Sequence, residues 1–208
     1  MTARNARGLG IVALLLAVAT VLAPVELELS LISTAAVSTG HLIPRGIASI
    51  GLSLVVWAGR ALFVFAAYGF ARLAPSGTPR HLFVAALLVT VAGIALGYSV
   101  PSPTDASAVA TVALSGLGQL LLCVGLADSG WIPLWIPWLG AVAAAVQSGA
   151  WLYQVSPAPT AALEIVSRTE GLGSLAYLAF LVSLGVALIL RSRAAVSPEA
   201  TDGEEGPA

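Results

Sequence analysis

The sequence predicts an all-α fold, a polytopic transmembrane helical bundle with about six spans. Hydrophobic residues make up 58% of the chain and charged residues only 9%, and every one of the nine basic residues is an arginine. The mean hydropathy of +0.96 lies far above that of soluble domains. Apolar runs of about 20 residues recur, each long enough to cross a hydrocarbon core roughly 30 Å thick. Such runs are too long and too uniformly apolar for the strands of a membrane barrel.

The predicted spans form one domain at residues 1–193. Hydropathy places them at residues 8–24, 47–73, 82–100, 106–127, 131–153 and 168–190. Turn-forming clusters separate several of them, at residues 74–79, 101–105 and 128–130. Ser167 with Glu170 three residues later predicts a capping box that opens the last span. The tail at residues 194–208 is rich in Pro, Gly, Glu and Ala, and we expect it to be disordered in the cytoplasm.

The placement of the arginines predicts that both termini are cytoplasmic. With both termini on one side, that side carries Arg4, Arg7, Arg72, Arg80, Arg191 and Arg193. The other side carries only Arg45 and Arg168. Basic residues of short loops stay in the cytoplasm, so this bias fixes the orientation. The lysine-free, alanine-rich composition is typical of a bacterium of high GC content, and we expect a multi-pass protein of the bacterial plasma membrane.

The first span and the segment after it each allow two interpretations. Arg4, Arg7 and the apolar run before Ala23 resemble a signal peptide with a cleavage site, whereas Pro24 directly after that site favours an uncleaved helix. Residues 25–46 would form the one sizeable outer loop. Hydrophobic and polar residues alternate at its start, residues 25–31, which predicts a half-buried strand or a segment on the rim of the bundle.

Small residues at helical spacing predict where the helices approach one another, since close packing in lipid relies on small side chains. Gly93 and Gly97 form a GxxxG pattern in the third span, and Ala86 and Thr90 continue the same face. The fourth and fifth spans carry similar stripes: Thr111, Ser115, Gly118 and Gly125, and Gly140, Ala144 and Ser148. We expect intramolecular seams, with homodimerisation through Gly93 and Gly97 as the alternative.

A tryptophan cluster marks the start of the fifth span. Trp131, Trp135 and Trp138 are spaced to share one helical face, as in the aromatic belt of a membrane interface, and a stacked ligand platform is the alternative. Only one of Pro133 and Pro137 fits comfortably in a first turn, so we expect a broken or interfacial segment before the main helix.

Several chemistries are excluded by residues that the sequence lacks. Without lysine there is no retinal Schiff base, and with Cys123 as the only cysteine there is no intrachain disulfide. His41 and His81 fall on opposite sides of the membrane, so they cannot share a haem or a metal. We expect no metal and no cofactor, although His41 with the nearby acidic residues Glu26 and Glu28 leaves a loose outer metal site as an alternative.

Ser115 is the one serine in a motif that invites a catalytic interpretation. Residues 113–116 approximate the GxSG nucleophile motif of rhomboid proteases, with Ala113 in the first glycine position. The last span contains no histidine to serve as the base, and a serine without a base is not activated. We therefore interpret Ser115 as a packing residue and name no catalytic residue.

Arg60 is the one charged residue close to the middle of a predicted span. A charge at that depth costs from about 3 to above 10 kcal/mol, so it normally faces the bundle interior or a watery cavity. No acidic residue lies mid-span, which leaves Gln119, Gln147 and helix-end carbonyls as the expected hydrogen-bond partners of Arg60. These three residues form the candidate site for an anionic ligand. The alternative is structural, with Arg60 reaching an interface or holding the bundle together.

The hairpin between the fourth and fifth spans has a distinctive layout. The run of leucines at 120–122 is followed by Ser129-Gly130-Trp131-Ile132-Pro133-Leu134-Trp135 and then by Leu139-Gly140. Together with the arginine-bearing first helix, this layout resembles an uncharacterised family of six-span bacterial integral membrane proteins. The resemblance implies the six-span fold, and because that family has no assigned activity it implies no catalytic residues.

Two functional hypotheses follow from the sequence. The first is a non-enzymatic accessory or interaction protein, or a binder of a lipid-like ligand. The second is a small transporter or permease-like protein with a cavity around Arg60. The expected partners are the lipid bilayer and either another membrane protein or an anionic amphiphile, with no nucleic acid. A membrane enzyme is disfavoured because no acid, base, nucleophile or metal set is paired.

Overall fold

The computed structural model describes the backbone of residues 1–38, 45–99, 105–155 and 163–195, and side chains within 1–22, 58–96, 109–150, 169 and 171–195. Over these residues the chain forms six helices and no strand, which confirms the all-α class. The helices are α1 (Ala3–Ser38), α2 (Arg45–Leu73), α3 (Thr78–Ser99), α4 (Asp105–Ser129), α5 (Trp135–Val155) and α6 (Leu163–Ala194).

Within the described residues, four stretches of helix are long and apolar enough to cross a membrane. They are Ala3–Leu22, Thr78–Leu96, Val109–Ser129 and Gly171–Ala194. Large apolar side chains also cover the outside of the bundle, among them Phe65, Leu88 and Leu172, which are 64–67% exposed. A surface of this kind is unfavourable in water and favourable in lipid. The structure therefore supports a membrane-spanning protein.

The six helices form a closed ring in chain order. Each helix packs against the next, and α6 packs against α1. The neighbours are antiparallel, because Leu9 near the start of α1 approaches Gly69 near the end of α2, and Phe83 near the start of α3 approaches Gly125 near the end of α4. One hydrophobic core draws buried side chains from all six helices. The start of α1, the end of α6 and the α2–α3 turn consequently lie at the same end of the bundle.

Glycines bring the helices together at several seams. A Cβ atom on Gly10 would lie 2.8 Å from the carbonyl oxygen of Gly185, so α1 and α6 touch backbone to backbone. A Cβ atom on Gly118 would lie 3.3 Å from the carbonyl oxygen of Ala86 and would clash with the hydroxyl of Thr90. On Gly93 it would meet the Cβ of Leu114 at 3.1 Å. Small residues thus permit the close approach that helix packing in lipid requires.

Helix boundaries differ from the sequence-based expectation at both ends of the chain. α1 continues through Pro24 to Ser38, so residues 25–31 are helical and the expected strand is wrong, whereas the alternative of a segment on the rim of the bundle stays a prediction. Their alternating pattern is also compatible with a helix, because leucine and glutamate are good helix formers and proline is tolerated within helices in lipid. α6 begins at Leu163, so Ser167 lies inside the helix and cannot be its N-cap.

Several sequence-based predictions fall outside the described residues. These concern the backbone of His41 and of the tail from residue 196 onward, and the side chains of Glu26, Glu28, Arg45, Gly97, Arg168 and Glu170. The outer metal site, the second glycine of the GxxxG pattern, the disordered tail and the two outer arginines therefore stay predictions.

Candidate functional site

Arg60 lies on the inner side of α2 by helical position. The buried residues Phe63 and Ala67 follow it at i+3 and i+7, and Ala71 continues the same stripe. Its neighbour Gly59 faces α1, since a Cβ atom on this glycine would lie 3.9–4.0 Å from side chains of that helix. Arg60 itself is half-buried and has at least one interaction partner. The arginine therefore sits at the edge of the buried stripe rather than on the face that carries the exposed Phe65.

Gln147 belongs to a different seam. Its side-chain amide donates a hydrogen bond to the hydroxyl of Ser174 at 3.1 Å, which links α5 to α6. Gly173 makes room for it, since a Cβ atom there would lie 2.9 Å from the Cγ of Gln147. In the ring α5 lies opposite α2, and α2 packs against α1 and α3. Gln147 thus has a local partner within the α5–α6 seam.

Gln119 is half-buried on α4, next to Gly118, which lies in the α3–α4 seam. Because α4 packs against α3 and α5, it is separated from α2 by one helix. The three residues of the predicted anionic site therefore come from three helices that are not all neighbours. A shared site would require their side chains to meet across the interior of the ring.

A cluster of aromatic side chains occupies the end of the bundle near the termini. Phe70 and Phe83 stack with ring centroids 5.4 Å apart, and Trp131 packs 6.0 Å from Phe70 and 5.9 Å from Phe83. Both phenylalanines are at most 1% exposed, and Trp131 is 8% exposed. The cluster joins α2, α3 and the α4–α5 turn into one packed layer at this end of the ring.

The three tryptophans do not share a face, so this prediction is wrong. Trp131 is buried, whereas Trp135 and Trp138 are 58% and 65% exposed. The reason is that α5 begins only at Trp135, so helical spacing does not extend back to Trp131. This start confirms the expected break before the main helix. Gly130, with φ of 61°, adopts the left-handed conformation at the turn.

A side chain of α6 binds the α4–α5 turn by a hydrogen bond. Arg191 donates a hydrogen bond from its guanidinium to the backbone carbonyl of Trp131. Within the turn, the backbone N–H of Trp131 donates to the hydroxyl of Ser129 at 3.3 Å. From the sequence alone Arg191 was only one of several arginines at the end predicted to be cytoplasmic. Its role in fixing Trp131 depends on the contact of α6 with the turn, which no local pattern indicates.

Cys123 and Ser115 occupy packing positions, whereas His81 lies at the surface. The side chain of Cys123 is 2% exposed, and a Cβ atom on Gly140 would lie 2.8 Å from its sulfur. Ser115 lies beside Gly93 in the α3–α4 seam, with its hydroxyl 3.6 Å from the Cβ position of that glycine. His81 is exposed near the start of α3. Among the described residues no three His, Cys, Asp or Glu side chains group to hold a metal.

The buried hydroxyl of Thr90 in the α3–α4 seam has an unusual environment. It has no hydrogen-bond partner among the described residues, although Thr90 is only 7% exposed. The hydroxyl points at Gly118 across the α3–α4 seam, where a Cα–H···O contact can offset part of the cost of burial. This geometry is that of a tight helix crossing.

No family model, curated protein or solved structure matches the chain. The resemblance to a six-span family consequently stays a prediction.

Proposed function

We propose that this chain is a six-span protein of the bacterial plasma membrane that acts by binding, as an accessory subunit or as a receptor for a lipid-like ligand. The observation that carries the proposal is the packed aromatic layer at the end near the termini. Phe70, Phe83 and Trp131 pack together between α2, α3 and the α4–α5 turn, and Arg191 of α6 donates a hydrogen bond to the backbone of Trp131. A rigidly filled bundle suits binding at its outer surface better than passage through its centre.

The seams support the same proposal. Transport by alternating access requires helices to rock or slide against one another. Here α1 and α6 approach backbone to backbone at Gly10 and Gly185, and α3 and α4 do so at Ala86 and Gly118. Close small-residue seams give rigid neighbours. The helices that carry these seams form a rigid scaffold, and a binding site can lie on its outer surface.

The proposed orientation places both termini in the cytoplasm. It rests on the arginine bias, and the antiparallel ring brings the start of α1, the α2–α3 turn and the end of α6, which carry Arg4, Arg7, Arg72, Arg80, Arg191 and Arg193, to one end of the molecule. In a Cys123→Ala background, a cysteine at Gly77 should resist a membrane-impermeant thiol reagent on intact cells, whereas a cysteine at Ser38 should react. Both should react after permeabilisation, which is the control for reactivity. Labelling at Gly77 but not at Ser38 on intact cells would reverse the orientation.

The second candidate function is a small transporter with a ligand site at Arg60, and it is favoured by the half-buried position of that residue on α2. The proposal of a surface binder predicts instead a structural Arg60. Arg60→Met should then change the stability by only ~1 kcal/mol, the net value of a typical hydrogen bond. The matched control is Ala61→Met at the exposed neighbouring position.

The measurement is the melting temperature of each variant in detergent, with and without dodecyl phosphate as an anionic amphiphile. If Arg60 is structural, the shift caused by dodecyl phosphate is the same in Arg60→Met as in the unchanged chain. A shift that disappears in Arg60→Met and is only weakened in Arg60→Lys would instead support the transporter, since lysine keeps the charge but lacks the planar fork.

A further inference from the structure

An open groove lies between the start of α1 and the end of α2, on the outside of the ring. Its volume is about 480 Å³. Arg4 and Asn5 of α1 and Tyr68 and Arg72 of α2 supply its polar lining. Gly69 forms part of the floor, where Leu9 comes so close that a Cβ atom on Gly69 would lie 2.7 Å from it. The groove thus has a packed floor and polar walls from two helices.

The charge in the groove is positive and unpaired within the described part of the chain. Arg4 and Arg72 are both exposed, and neither forms an ion pair or hydrogen bond with another described residue. The described residues of this end include one acidic side chain, Asp128, which belongs to the end of α4 and does not line the groove. Two arginines converging on one groove, with an amide and a phenol beside them, match a phosphate ester.

An apolar surface continues from the groove along the two helices. Phe65, one turn before Tyr68 on α2, is 67% exposed, and Leu15, two turns after Gly8 on α1, is 50% exposed. Gly8 itself lines the groove, and a Cβ atom there would meet no other atom within 4 Å. A ligand with a phosphate head and an apolar tail fits this arrangement, because the head meets the arginines and the tail can lie along Leu15 and Phe65.

We propose that the α1–α2 groove binds the phosphate headgroup of an anionic phospholipid, with Arg4 and Arg72 as the phosphate ligands. The proposal rests on the membrane location proposed above, and it names a site for the lipid-like ligand that is separate from Arg60. Soluble phosphate esters share the headgroup chemistry, but only a phospholipid also places its acyl chains on the lipid-facing apolar surface next to the groove.

The test compares two double variants of the full chain that remove the same charge from the same end. Arg4→Gln/Arg72→Gln removes both arginines of the groove. Arg7→Gln/Arg80→Gln removes two exposed arginines that do not line it. Binding of dioctanoyl phosphatidylglycerol to each protein in neutral detergent is followed by the melting temperature. We expect the groove variant to bind the lipid roughly tenfold more weakly, because it loses charge-assisted hydrogen bonds to the phosphate. The control variant should bind within about threefold of the unchanged chain.

A third variant blocks the groove without changing its charge. Gly8→Leu projects a side chain into open space, so the protein should fold normally and bind the lipid roughly tenfold more weakly. Gly149→Leu is the control, because this exposed glycine of α5 also has no atom within 4 Å of its Cβ position. Equal binding by Gly8→Leu and Gly149→Leu would refute the groove as the binding site.

Two further outcomes would also overturn the proposal. Equal weakening by both arginine pairs would mean that only the general charge of this end attracts the lipid. Binding of glycerol 1-phosphate as tight as that of dioctanoyl phosphatidylglycerol would assign the groove to a soluble phosphate ester. None of the variants alters Arg60 or the positions used for thiol labelling. Refutation of the groove as a lipid site would therefore not refute the proposed function, which the Arg60 and thiol-labelling experiments test separately.

Discussion

Replacing Gly10 with leucine is expected to lower the stability of the protein by about 3 kcal/mol or more, whereas the same change at Gly8 is expected to be neutral or stabilising. A Cβ atom on Gly10 would lie 2.8 Å from both the carbonyl oxygen of Gly185 and the side chain of Ile189. The carbonyl belongs to the backbone of α6, so it can move only if the whole helix moves. Gly10→Leu must therefore open the seam that closes the ring.

Gly8 is a matched control two residues away on the same helix. Nothing lies within 4 Å of its Cβ position, and leucine favours the helix over glycine by up to ~1 kcal/mol. In thermal unfolding followed in detergent, the melting temperature of Gly10→Leu should fall by roughly 10 °C and that of Gly8→Leu should stay level or rise. Equal effects of the two changes would contradict a close α1–α6 contact. If the mature protein lacks the first span, neither substitution changes its melting temperature, and that missing N-terminus would establish cleavage of a signal peptide.

Replacing Trp131 with alanine is expected to cost about 3 kcal/mol, against less than ~0.5 kcal/mol for the same change at Trp138. Trp131 is buried against Phe70 and Phe83, with ring centroids 6.0 and 5.9 Å away, so its removal leaves a cavity that the rigid bundle can fill only in part. In lipid the main loss is that of van der Waals contacts, since apolar transfer from water contributes little there.

Trp138 is 65% exposed on the adjoining helix, so its side chain has few internal contacts to lose. The melting temperatures of the two variants in the same detergent give the comparison. A double-mutant cycle with Phe83→Ala separates the stacking from the general effect of truncation, and we expect the losses of Trp131 and Phe83 to be non-additive. Similar losses at Trp131 and Trp138 would argue that the three tryptophans form one interfacial belt.

Composition and periodicity predicted the helical class. A helix in lipid satisfies its own backbone hydrogen bonds, so long apolar runs permit few alternatives to helices. The broken entry to α5 was also predictable, because Pro133 and Pro137 cannot both occupy one first turn. The end of α1 was not predictable from the sequence. Pro24 and the alternating residues 25–31 are local signals for a break, and the helix continues past them to Ser38.

Side-chain partners depended on tertiary structure because they involve residues far apart in the chain. The sequence marked Gln147 as a partner for Arg60, but packing of α5 against α6 gives it Ser174, 27 residues away. The spacing of Trp131, Trp135 and Trp138 indicated one face, and only the turn at Gly130 separated the first from the others.

The sequence by itself determined an apolar, helix-forming chain with its positive charge concentrated at the ends of the apolar runs. These properties belong to single residues and their near neighbours, so they need no knowledge of the fold. Only the tertiary structure decided that α6 closes the ring on α1 and that Arg4 and Arg72 line the same groove. Those two arginines are 68 positions apart (72 minus 4) and meet because α1 and α2 pack antiparallel. Packing between distant segments, which no local pattern encodes, creates this groove.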